Sequence, residues 1–188
     1  MINSYHELRS CISQDLSKQA SKEIYLDFFI KPIVRFTVLL RFNEFLKNRN
    51  SNFFIRAIPM LWFKRLSIRL GFSIPLNVFA PGLAIVHYGL IVVSPAARIG
   101  RNCRIHTGVN IGASSGFSKE TDLTKFAPKI GHNCYIGPGA KIFGPINIGN
   151  DCVIGANAVV NKTIDFDGVS IGGVPAKVIS EKSSLGRV

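Results

Sequence analysis

Three histidines, His87, His106 and His132, lie in the second part of this 188-residue chain, and a fourth, His6, lies near its start. An imidazole titrates close to neutral pH, so each can take a proton from a hydroxyl or hold a metal through a ring nitrogen. Three histidines converging on one point would suit zinc. The second part of the chain offers only His87, His106 and His132, and they stand in no zinc-site motif, so no metal is expected. Cys103, Cys134 and Cys152 raise the same metal question and that of a disulfide, with Cys11 apart from them. Answering it requires the elements that position these side chains.

Those elements are written in sixes. An aliphatic residue recurs at Ile99, Ile105 and Ile111, then at Ile130, Ile136, Ile142, Ile148, Ile154 and Val160. Glycine follows six of these nine. Four places on from each aliphatic comes a small or aliphatic side chain: Cys103, Val109, Ser115, Cys134, Ala140, Ile146, Cys152, Ala158, Ile164. Neither the helical period of 3.6 nor the strand period of 2 produces this. A six-residue repeat builds a solenoid of short strands, with one side chain per repeat in a narrow core. The three solenoid cysteines share one position in the repeat, and Cys134 and Cys152 are one uninterrupted coil apart. They are therefore expected to stack as small buried packing residues about 4.8 Å apart.

Counting back from Ile99 gives Val93, His87 and Pro81, so the solenoid begins near 75–81. That register turns His87 inward. His106 sits one place along in its own repeat and points outward, one coil up. His132 is read as surface. Between Ile111 and Ile130 the sixes are interrupted, and removing the stretch 117–129 restores the stacking. Residues 117–129 are expected to bulge out as a loop, and long loops in regular scaffolds carry function.

The region before the repeat reads as helical. Ser4-Tyr-His-Glu7 is a capping box that starts a helix over about 4–19, leaving His6 solvated in its first turn. A second helical stretch covers 22–48 with a boundary near Pro32, and a third covers 53–70 and ends at Gly71. Phe54, Ile58, Leu61, Trp62, Leu66 and Leu70 lie on one side of this last helix, and Arg56, Lys64, Arg65 and Arg69 provide its charge. The organisation expected is a helical region over 1–72, a solenoid over 73–179 carrying the loop, and a tail over 180–188. The helices are expected to cap the open end of the solenoid.

The net charge is +12, with +7 from residues 1–72 (12 Lys/Arg, 5 Asp/Glu) and +5 from 73–188 (11 and 6). A basic surface suits phosphates, acidic sugars or anionic lipid. No nucleic-acid motif is present. The most apolar run, Phe28 to Leu40, is interrupted by Lys31, Pro32 and Arg35, so no transmembrane helix is expected. The expected location is the cytoplasm, with the basic N-terminal helices as a candidate contact with the inner membrane.

The repeat resembles that of the hexapeptide-repeat acyltransferases over roughly residues 75–179. This implies a left-handed parallel β-helix preceded by an α-helical segment. Within that family the chain is similar to the serine O-acetyltransferases and the capsule and exopolysaccharide O-acetyltransferases. The stretches that carry the likeness are His87-Tyr-Gly-Leu-Ile-Val-Val93, Val109-Asn-Ile-Gly112, Pro128-Lys-Ile130, Ile136-Gly-Pro-Gly-Ala-Lys-Ile142, Ile154-Gly-Ala-Asn-Ala-Val-Val160 and Gly173-Val-Pro-Ala-Lys177.

The resemblance implies acetyl-CoA as donor, a homotrimer, and His87 as general base, with His106 as the other candidate. It places Ala113, Pro138 and Ala156 along the pantetheine arm, with Lys141 and Lys177 toward the phosphates. Tyr88, Asn110, Glu120 and Asp122 are candidates to contact the acceptor. Positions where the serine enzymes carry acids and an Arg-His pair hold Phe72, Val86 and Phe126-Ala127 here. A free amino acid would lose its grips. The expected reaction is therefore acetylation of a sugar hydroxyl in a surface polysaccharide or its precursor. Serine acetylation is the runner-up, with a non-catalytic scaffold or a metal enzyme similar to the γ-class carbonic anhydrases behind it.

Overall fold

In the computed structural model, residues 1–19, 24–114 and 122–184 are described. Four helices come first: α1 (Tyr5–Leu16), α2 (Ile24–Ile30), α3 (Pro32–Asn48) and α4 (Phe53–Leu70). The capping box forms as the sequence implies. Ser4 Oγ accepts from the Glu7 amide at 3.1 Å, and the Glu7 carboxylate accepts from Ser4 N at 3.1 Å. Proline takes the first turn of α3, where its missing N–H costs nothing. Gly71 closes α4 at φ +74°.

From Phe72 onward the chain is a left-handed parallel β-helix of three flat faces. The first face stacks Phe72–Ser73, Ile91–Val93, Asn110–Gly112, Lys141–Phe143 and Val159–Val160. The second stacks Arg98–Ile99, Lys129–Ile130 and Asn147–Ile148. The third stacks Ala84–Ile85, Arg104–Ile105, Tyr135–Ile136, Val153–Ile154 and Ser170–Gly173. It ends with Ala176–Ser180, the one antiparallel strand among the described residues. All nine repeat aliphatics are buried.

Register settles the spacing. Ile111 pairs with Ile142 across the insertion, and Ile142 pairs with Val160 one uninterrupted coil later. The insertion therefore lies where the interrupted repeat puts it, but it closes earlier than expected. Ser114 N donates to Phe126 O, Arg98 N donates to Pro128 O, and Lys129 is already strand. Residues 117–121 of the expected loop fall outside the described residues; 123–126 form a single 3-10 turn.

The first coil departs from the sixes. Ile85 pairs with Ile105, and Val93 pairs with Ile111. The first of these pairs spans a longer stretch of chain than the second, so two extra residues sit in the turn between Ile85 and Ile91. The inward position expected for His87 is therefore wrong: Ile85 and Ile91 fill the core, and His87 is exposed in the widened corner.

The helices dock on this coil through a buried ion cluster. Arg41 is 1% exposed and uses all five N–H groups. Nε and Nη2 bond the Asp15 carboxylate at 2.7 and 3.3 Å. Nη1 bonds Glu44 at 3.0 Å and the Phe79 carbonyl at 2.7 Å, and Nη2 also bonds the Ala80 carbonyl at 3.0 Å. Asp15 in turn accepts from the amides of Gly82 and Leu83, and Glu44 from that of Asn77.

The apolar side of α4 is only partly covered. Phe54, Ile58, Leu61 and Trp62 face outward, and the helix docks through Met60, Phe63 and Leu70 with Leu66 partly covered.

Candidate functional site

The turns that join the third face to the first form one edge of the prism. Successive coils place 86–90, 106–109, 137–140 and 155–158 on it. The edge gathers His87, Tyr88, His106, Pro138 and Ala156, five of the eleven residues singled out from sequence. The His87 and His106 rings lie 6.2 Å apart, centroid to centroid. His106 continues to Tyr135 at 4.9 Å. On the adjoining third face Arg104 pairs with Tyr135, which places the guanidinium-bearing residue and the ring in successive coils beside His106.

The widened corner depends on Gly89. Its φ is +129°, and an added Cβ would fall 2.4 Å from Thr107 Oγ1. Gly89 N donates to Leu70 O and Ile91 N to Gly71 O, so the end of α4 holds the His87 corner from the outer side.

His106 is partly buried, and its Nε2 is shielded from solvent with no hydrogen-bond partner among the described residues. Burial, then the Arg104 guanidinium, then His87 hold its pKa below the usual 6.5. At neutral pH it is therefore an uncharged imidazole beside His87. Phe72 is buried, edge-on to Phe36 at 5.0 Å, and in register with Ile91.

A cavity of about 340 Å³ opens beside this corner, between α3 and the third face. Its lining includes Lys18, Lys31, Val86, Tyr88 and Arg104. Among the described residues its lining holds no carboxylate, although Lys31 pairs with the buried Asp27 at 3.0 Å. Sequence reasoning missed Arg104, Tyr135 and the two lysines. The first two were recoverable from the register across the insertion; the lysines reach the corner only through the docking of the helices.

The remaining expected residues lie elsewhere. Asn110 is on the first face, in register with Val92 and Lys141. The Lys141 ammonium donates to the Gly108 carbonyl at 2.6 Å. Ala113 occupies a different edge, at the base of the insertion. Lys177 is exposed on the final hairpin, opposite Gly172. Asp122 caps its own turn, accepting from Thr124 N at 3.0 Å and Oγ1 at 2.6 Å. Glu120 lies outside the described residues. His132 is exposed on the third edge, where its Nδ1 accepts from Arg101 N at 2.9 Å. Among the described residues no group of three His, Cys, Asp or Glu is placed to hold a metal.

Comparison with known proteins agrees with the fold. Residues 127–162 match the family model "Bacterial transferase hexapeptide (six repeats)". The serine acetyltransferase of Helicobacter pylori is 27% identical over 183 residues, 96% of this chain and 99% of that protein. The Mycobacterium tuberculosis serine acetyltransferase is 37% identical over 107 residues, which are 57% of this chain and only 44% of that protein. The crystal structure of the Neisseria gonorrhoeae serine acetyltransferase superposes with TM-score 0.71 at 24% identity, covering 93% of this chain and 66% of that one. The Brucella abortus serine acetyltransferase gives 0.64 at 25% identity, covering 95% and 70%.

The chain carries the hexapeptide repeat of bacterial transferases and is similar to serine acetyltransferases. Its candidate proton acceptor, His87, sits on a corner between coils, and the next coil brings a second imidazole, His106, alongside. Among the described residues no helix is long and apolar enough to cross a membrane.

Proposed function

We propose that this protein transfers an acetyl group from acetyl-CoA to an acceptor hydroxyl, with His87 as general base. The observation that carries the reading is the exposed His87 beside a neutral, half-buried His106, next to the cavity lined by Val86, Tyr88 and Arg104. The His87 imidazole takes the hydroxyl proton as the oxygen attacks the thioester carbonyl. The tetrahedral intermediate collapses with loss of the CoA thiolate, and the imidazolium returns the proton to that sulfur. Atoms balance without a covalent acyl-enzyme. Pro138 and Ala156, one coil apart on the same edge, are the proposed path of the pantetheine arm. Ala113 lies on another edge, so a groove that uses it together with His87 draws on neighbouring subunits; a homotrimer supplies them.

For the acceptor, the relatives reverse the order that the sequence implied. Proteins named serine acetyltransferase match this chain, one of them along its whole length, which puts L-serine first. A second reading, a saccharide hydroxyl, rests on the cavity: Lys18, Lys31 and Arg104 line it, and Phe72 and Val86 offer no carboxylate to an ammonium. A thiol-release assay with acetyl-CoA against L-serine and a panel of neutral and acidic sugars separates the two. Turnover with serine alone removes the saccharide reading, and turnover with sugars alone removes serine. His87→Ala is expected to lower turnover by about 10²–10⁴ with either acceptor. Full turnover in that variant would move the base to His106.

A further inference from the structure

The outer face of α4 has no role in the transfer reaction, and its composition is unusual. Phe54, Ile58, Leu61, Trp62 and Ile68 fall at helical spacing within one stripe. Such a stripe normally faces a core. Here all five are exposed, Phe54 to 80% and Trp62 to 64%. Arg65 and Arg69 continue the stripe, and Arg56 and Lys64 flank the helix, which contains no acidic residue.

The same side of α4 forms one wall of a groove of about 430 Å³. Phe28, Phe29 and Leu39 face Trp62, Arg65 and Arg69 across it. Arg35 lies in the groove with its Nε shielded from solvent and without a hydrogen-bond partner among the described residues. Three guanidinium groups around an aromatic slot suit an anionic headgroup with an acyl chain attached.

We propose that α4 and this groove seat the protein on the surface of an anionic phospholipid bilayer. The helix lies in the headgroup plane, with Phe54, Ile58, Leu61 and Trp62 in the acyl boundary and the arginines on phosphates. Charge decides against a second copy as the occupant. Another α4 would bring four more cations and no anion. The whole stretch 45–119 carries ten Lys/Arg and no Asp/Glu, so the adjoining surface offers no relief. The proposal is independent of which hydroxyl is acetylated.

Trp62 is the chain's single tryptophan, so its fluorescence reports the face directly. The full chain is mixed with phosphatidylcholine vesicles, with and without phosphatidylglycerol. The expected result is co-sedimentation and a blue shift with the anionic vesicles only, weakened by salt. Arg65→Glu with Arg69→Glu is expected to weaken binding by about tenfold or more. Trp62→Glu is tested by sedimentation and is expected to abolish it. Both variants keep thiol release with a water-soluble acceptor, which shows that they fold. No shift with anionic vesicles, or an equal shift with neutral ones, overturns the proposal. So does a blue shift in vesicle-free protein that reverses on dilution, since a second copy would then cover the face.

Discussion

The coils from Ile91 onward and the junction between the helices and the first coil are held together by opposite means. The later coils bury one aliphatic column and repeat the same backbone pairing at each turn. Their polar interior content is small: the Cys103, Cys134 and Cys152 thiols donate to the carbonyls of Gly131, Gly149 and Phe166 and remain unpaired as disulfides. The junction has no repeat. Its centre is a single buried cation that joins α1, α3 and residues 77–83. Periodic regions can spread their stability over many equivalent contacts, whereas a capping region concentrates it. The functional corner sits at the border, where the chain is no longer tied to the sixes.

The largest expected effect breaks the junction. Arg41→Met leaves the Asp15 and Glu44 carboxylates buried without their partner, which costs about 3–5 kcal/mol. Replacing the cluster with apolar residues (Asp15→Leu, Arg41→Met, Glu44→Leu) is expected not to restore stability. Gly82, Leu83 and Asn77 would lose the acceptors of their amide protons, and each buried orphan costs about 1–3 kcal/mol. Urea midpoints at unchanged slope measure both. Recovery in the triple variant would mean that the cluster is an ordinary ion triad and the contrast with the coils is overdrawn.

This cluster also marks the limit of what the sequence discloses. The sixes locate every strand from Ile91 to Val160 and the insertion between them, because each repeat is its own evidence. They miss the two extra residues at 86–90, since Val93 and Ile91 are both aliphatic and the count back from Ile99 passes through the slip unmarked. The neighbours of His87 therefore single it out while its register misplaces it. Asp15, Arg41 and Glu44 look like surface charges in amphipathic helices; their pairing joins two helices to the first coil, and no local pattern carries it. The face of α4 is misleading for the reverse reason. An apolar stripe implies a partner, and the sequence does not say that the partner lies outside the chain.

A substitution in the column tests the other half of the contrast. Ile142 is fully buried between Ile111 and Val160. Ile142→Ala is expected to cost about 2–5 kcal/mol, and Ile142→Val about 0.5–1.5. Because neighbouring coils are alike, Ile111→Ala, on the same face one coil before, should fall in the same range. A cost at Ile142 several times that at Ile111 would show that the coils do not share their load evenly.

The polar ladder on the edge opposite the face of Lys141 is a smaller matter. Asn102, Asn133 and Asp151 each adopt a left-handed backbone with φ near +55°. Asn102 Nδ2 donates to Asn133 Oδ1 at 3.1 Å, and Asn133 Nδ2 donates to Asp151 Oδ1 at 2.9 Å. Asn133→Ala loses both bonds and keeps a Cβ in a conformation that costs about 1–2 kcal/mol. Asn133→Gly removes the strain and forfeits only the bonds. If thermal unfolding ranks alanine and glycine equally, the ladder acts through its hydrogen bonds alone.

The smallest effect is read as a titration. His106 sits where the two regions meet, and burial, Arg104 and His87 all disfavour its charged form. The folded chain therefore binds the His106 proton less readily than the unfolded chain, whose value is near 6.5. Where the unfolded state binds more protons, stability rises with pH. This contribution is fully present above 6.5 and is lost as pH falls through that value toward the lower folded one. An NMR titration of the ring C–H signals should place the His106 midpoint below 6.5, and Arg104→Met should move it upward. A midpoint at or above 6.5 would mean that His106 is solvated like an ordinary surface histidine, and the neutral imidazole beside His87 would have to be given up.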